Sequence, residues 1–178
     1  RLSAELVCLA LAAFYGVGGH LFTRDPAKGL LGLYASYVGW DLSSTKPVSN
    51  PVDGIADITG ANVGKVGVEG EAYLGRISLE GLAGYQFGTA TGFAGRGVLA
   101  WYATDNLRLS AGYNYLQSPG GGLIGGVEWA PAGSASLFVN AAANASSTTL
   151  IAGVKAYFGG APKSLIRRER EDDPSNTL

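Results

Sequence analysis

Histidine and cysteine each occur once in these 178 residues, and each scarcity removes a class of chemistry. The lone Cys8 can form neither an intramolecular disulfide nor a thiolate metal cluster. The lone His20 is the single candidate for any histidine-dependent mechanism, and it lies in a Gly-rich stretch, YGVGGHLF, beside a turn. Charged residues make up only 15% of the chain, against roughly 25% in soluble domains. The 13 basic and 14 acidic residues balance, so nothing points to nucleic acid or to an acidic substrate. No window holds 18 consecutive apolar residues, which gives no support to a transmembrane helix. GVGGH is not a phosphate loop, because no Lys-Ser/Thr follows it. No metal-ligand spacing and no cofactor motif occurs.

Glycine and strict alternation take the place of what is missing. The 28 glycines are about twice the usual ~7% share. Such a load weakens helices but suits strongly curved strands and close side-chain stacking. From Lys65 to Gln117, apolar residues alternate with polar or small ones at a period of two, as in strands with one apolar and one polar face. In Leu107–Tyr115, for example, Leu107, Leu109, Ala111, Tyr113 and Tyr115 oppose Arg108, Ser110, Gly112 and Asn114. Segments of about ten residues are long enough to cross a bilayer at a tilt. The expected fold is therefore all-β: an antiparallel up-and-down transmembrane β-barrel of about 8–10 strands, over residues 1–158.

Turn formers divide the chain evenly. Short connections are expected at 24–29 (Asp25-Pro26, Gly29), 75–76, 104–106 and 131–133, and longer or looser ones at 41–62, 88–92, 118–122 and 144–147. Short turns at one end and longer loops at the other are the habit of outer-membrane barrels. From Tyr15 onward nine strands are expected. Residues 1–13 read either as a tenth strand or, through LVCLALAA, as the apolar remnant of a signal peptide. The chain starts at Arg1 without Met, as expected of a processed or trimmed form.

The polar faces gather charges of both signs: Glu69, Glu71, Glu80 and Glu128 against Arg96, Arg108 and Lys155. Inside a low-dielectric lumen these should pair, since an unpaired buried charge is costly. A pore lined by the same charges is the sharper alternative, and a Ser36, His20 and Glu69 or Glu71 catalytic set is the remotest one. The aromatics Tyr85, Phe87, Phe93, Trp101, Tyr113, Tyr115, Trp129 and Phe158 fall near strand ends, as in interfacial girdles. A soluble sandwich or lipocalin-like barrel shares the alternation, but its polar faces should be rich in surface Lys and Glu. Here they are mostly Gly, Ser and Asn. The tail, 159–178, mixes Lys163, Arg167, Arg168 and Arg170 with Glu169, Glu171, Asp172 and Asp173, and reads as a solvated, flexible periplasmic segment.

With GHLFTRDPAKGLLGLYASY, YLGRISLEGLAGYQFG, ATDNLRLSAGYNY and GVKAYFGGAPKSLIRRERED in view, the chain resembles small outer-membrane β-barrel proteins of Gram-negative, alphaproteobacterial type. The resemblance covers about Tyr15 to Pro174 and carries no catalytic motif. It implies an outer-membrane location, lipid as the surrounding partner, and no nucleic acid. The expected role is non-enzymatic: an envelope structure or a limited passive pore. A homo-oligomer, or a periplasmic or cell-wall partner reached through the tail, is the second expectation; a lipid-modifying enzyme using His20 is the third. Barrels of this kind usually end on an aromatic residue, so Phe158 is the expected internal equivalent.

Overall fold

The computed structural model of the protein describes residues 2–10, 13–41, 60–117, 120–131, 133–145, 147–157 and 162–172. Ten strands follow in order: β1 (Leu2–Ala10), β2 (Ala13–Asp25), β3 (Gly29–Asp41), β4 (Gly60–Leu74), β5 (Ile77–Gly88), β6 (Gly92–Thr104), β7 (Leu107–Leu116), β8 (Gly122–Trp129), β9 (Ala135–Ala143) and β10 (Thr148–Ala156). Each pairs antiparallel with its neighbour in sequence, giving one up-and-down sheet. Residues 2–10 form a strand in register with β2, from Leu2↔Leu21 to Ala10↔Ala13.

The turns follow local chemistry. After β2, the Asp25 carboxylate accepts the Ala27 N–H at 2.9 Å, and the Asp25 carbonyl accepts the Lys28 N–H at 3.0 Å. Three residues therefore suffice to reverse the chain, and β2 runs on to Asp25, into the 24–29 stretch expected as a connection. Gly75 (φ 61°) supplies the left-handed residue that the two-residue β4–β5 turn requires.

One face is concave. Polar side chains there bridge strands that are not neighbours: Arg108 on β7 reaches Glu80 on β5, and Lys155 on β10 reaches Glu128 on β8. Such contacts need a sheet that curls toward itself, so the architecture is a partial barrel. Glycine makes room for the curl at one place above all. Gly67 and Gly84 face each other across β4 and β5, and the Tyr34 side chain lies over both. A Cβ at Gly67 would sit 2.6 Å from that ring, and one at Gly84 would sit 2.8 Å from its hydroxyl. Tyr34 is buried as a result.

The sheet is inside-out relative to a soluble domain. Its concave face buries Glu69, Ser78, Glu80, Gln86, Arg108, Glu128 and Ser136, while Val68, Leu79, Leu99, Val127, Val139 and Leu150 stand exposed on the convex face. A short helix, α1 (Leu165–Glu171), follows β10. The sequence reading of a flexible, solvated tail fails over these residues. Leu165, Arg168 and Glu169 are buried, at the i, i+3, i+4 spacing that lines one side of a helix. The tail's composition carries no sign of the surface that receives its charges. Residues 159–161 and 173–178 of that tail, Phe158 and most of the 41–62 loop lie outside the described residues.

Candidate functional site: a polar concave face capped by the C-terminal helix

All seven charges singled out in the sequence lie on the concave face, but only some meet one another. Arg108 donates to Glu80 at 2.6 Å, with both side chains buried. Lys155 donates to Glu128 at 2.6 Å, and that carboxylate also accepts the hydroxyls of Ser136 and Tyr157. Glu69 pairs instead with His20, whose Nδ1 is 2.9 Å from both carboxylate oxygens. Glu71 accepts the Tyr73 hydroxyl at 2.7 Å. Arg96 has no ion pair among the described residues, contrary to the expectation that every lumen charge would be matched. His20 thus joins the network through a carboxylate and a ring stacked 6.4 Å from Tyr34. Its described hydrogen bonds go to Glu69, not to Ser36.

The aromatics sort into two levels on the convex face. Tyr85, Phe87, Phe93, Tyr113 and Tyr115 stand exposed toward the end of the longer loops, while Trp101 and Trp129 stand exposed toward the short turns. Phe93 and Trp101 are eight residues apart on β6. At ~3.3 Å per residue that is about 26 Å along the strand, or about 20 Å along a membrane normal at ~40° tilt.

The residues that sequence reasoning missed are those that receive α1. Tyr102 has the same strand phase as Arg96, and Tyr73 the same phase as Glu69 and Glu71, so their inward direction was legible. Their partner was not. The Tyr102 hydroxyl donates to Glu169, and Glu169 also lies 3.2 Å from Arg108 Nε. Leu165 packs against Tyr102 and Ala130, with Ile166 alongside. The helix start lacks a cap from its own Ser164. The β6–β7 turn supplies one: Asn106 Oδ1 accepts the Leu165 N–H at 3.1 Å, and the Asp105 carbonyl accepts the Ile166 N–H at 3.1 Å. Arg168 lies over the Tyr157 ring, 4.0 Å from its centroid, and donates to the Gly133 carbonyl. Arg170 donates to the Ile77 carbonyl and stacks over Tyr73 at 4.9 Å. Contacts from the β4–β5, β6–β7 and β8–β9 ends place α1 across the short-turn end of the concave face.

Glu169 gives this dock a pH dependence. Burial pushes its carboxyl up to about 7 from an ordinary 4.5. Arg108 and the Tyr102 hydroxyl pull it the other way, but that guanidinium is already engaged by Glu80, so burial prevails. Glu80 and Glu128 face it as further negative charges. A carboxyl whose docked pKa exceeds its free value takes up a proton on docking. Docking is therefore strongest below 4.5, weakens as pH rises toward 7, and is flat above that. A nitroxide on Arg167→Cys, in a Cys8→Ser background, should become more mobile between pH 5 and pH 8. Glu169→Gln should abolish that pH dependence.

Among the described residues no group of three or more His, Cys, Asp or Glu side chains is arranged to hold a metal ion. Among the described residues no helix is long and apolar enough to cross a membrane, which says nothing of a β-barrel. No protein family, curated protein or solved structure matches the chain.

Proposed function

We propose that this protein is an outer-membrane β-barrel of the cell envelope, with a structural or slow passive-permeation role and without catalytic function. The observation that carries the proposal is the inversion of polarity. A continuous convex surface of Val, Leu, Ile, Trp, Tyr and Phe is exposed, while carboxylates and guanidinium groups are buried on the concave side. Soluble monomers rarely expose an apolar patch of more than a few hundred Å², whereas a lipid-facing barrel requires one. The two aromatic levels support the same reading, since their spacing approaches the roughly 25 Å apolar band of such barrels.

Within this proposal the charge pairs narrow the lumen and α1 is its stopper. Arg108, Glu80 and Glu169 form one cluster and Lys155 and Glu128 another, so solute passage past them is slow. Protein unfolded in urea and diluted into phosphatidylcholine vesicles should become β-rich, float with the lipid, and resist protease over the strands. A soluble, folded protein that ignores the vesicles would contradict the proposal.

A further inference from the structure

Pairing on the concave face is lopsided. The described carboxylates there each have a donor: His20 for Glu69, Tyr73 for Glu71, Arg108 for Glu80 and Lys155 for Glu128. Lys65 and Arg96 have no ion pair among the described residues. Arg96 Nε is buried with no hydrogen-bond acceptor among the described residues. Lys65 and Arg108 lie near enough to repel Arg96. Glu80 attracts it, but Arg108 already holds Glu80 at 2.6 Å.

Arg96 faces a cavity of about 220 Å³, whose wall includes Ser110, Asn114 and Asn140 together with the charged Arg108, Lys155, Glu128 and Glu169. Asn114 is the direct cross-strand partner of Arg96. Arg96 is half-buried, and a guanidinium whose Nε is sealed from water without an acceptor is costly. Its planar fork matches a carboxylate or phosphate in two parallel hydrogen bonds. The neutral amides and hydroxyl can complete the oxyanion's coordination, and the two carboxylates of the wall are each held by a cation, Glu128 by Lys155 and Glu169 by Arg108.

We propose that Arg96 anchors a lumenal site for a small oxyanion, a carboxylate or a phosphate, with Lys65 raising the local anion concentration. The ligand is a free solute rather than a lipid headgroup, because the site opens on the polar face and not on the apolar one. This inference deepens the barrel reading and rests on it for the route by which the anion arrives. The binding chemistry belongs to the concave face itself.

The test follows the Arg96 Nε–Hε resonance of ¹⁵N-labelled full-length protein, in detergent micelles or in plain buffer if the protein needs no detergent. Sodium phosphate and sodium acetate are titrated against sodium chloride of equal ionic strength. Phosphate and acetate should each give a saturable shift, and chloride none. Lys65→Gln should weaken the midpoint severalfold, and Arg96→Gln should remove phosphate protection against thermal unfolding. A non-saturating response, or one that chloride reproduces, overturns the site. A shift from phosphatidylglycerol bicelles without one from inorganic phosphate assigns it to headgroups and overturns the free-solute reading. Vesicle flotation of the unmodified protein judges the barrel separately, because neither substitution touches the convex face.

Discussion

Truncation before Pro162 should raise ion conductance severalfold in planar bilayers while leaving the strands folded. Helix α1 covers the short-turn end through contacts with three turns or strand ends, and β10 ends before it. Its removal exposes Tyr102, Ala130 and the Arg108–Glu80 pair to solvent. A single substitution should reproduce much of the effect. Asn106→Ala removes the acceptor for the Leu165 N–H, and losing such a helix cap costs about 1 kcal/mol, which loosens the dock without touching the lumen. Single-channel recording distinguishes the outcomes. An unchanged current in the truncated protein would mean that the paired charges, not the helix, block the path.

The second large effect is on the convex face. Leu79 is exposed and lies directly across from Leu99, between the two aromatic levels. An arginine on a barrel's lipid face costs about 2–4 kcal/mol at the midplane and less toward the interfaces, and Leu79 lies two residues inside the Trp101 level. Leu79→Arg should therefore weaken vesicle insertion clearly, as read by flotation and protease protection. On a water-facing surface the same change would be worth less than ~0.5 kcal/mol. Arg167→Leu, on the solvent side of α1, serves as the matched control and should insert normally.

The faces of the strands were legible in the sequence, and the partners across the lumen were not. A period of two is enough to send Glu80, Arg96 and Arg108 to one side and Leu79, Leu99 and Leu109 to the other. That Arg108 should meet Glu80, two strands away, depends on register and curl, which no local pattern encodes. The slot that Gly67 and Gly84 leave for Tyr34 is likewise a cross-strand coincidence of three separate segments. Arg24 was hidden for a different reason. TRDPAKG is rich in turn formers, yet the ladder continues to Asp25↔Gly29, which leaves Arg24 on the strand and its side chain over Phe22, 4.6 Å from the ring. The helix was the hardest feature to foresee. Its RRERE run looks solvated until Tyr102, Asn106 and Tyr157 are brought beneath it. Arg96 has a simpler lesson: a charge among opposite charges is not thereby paired, because each carboxylate had a nearer donor.

The most direct measurement is gel mobility of detergent-extracted outer membranes, with and without boiling in SDS. A closed, lipid-embedded barrel stays folded in cold SDS and changes mobility on heating. The predicted result is a heat-dependent shift of a band that fractionates with the outer membrane. A protein that is soluble without detergent and migrates identically before and after boiling would contradict the membrane barrel, and its apolar faces would have to be covered by protein instead.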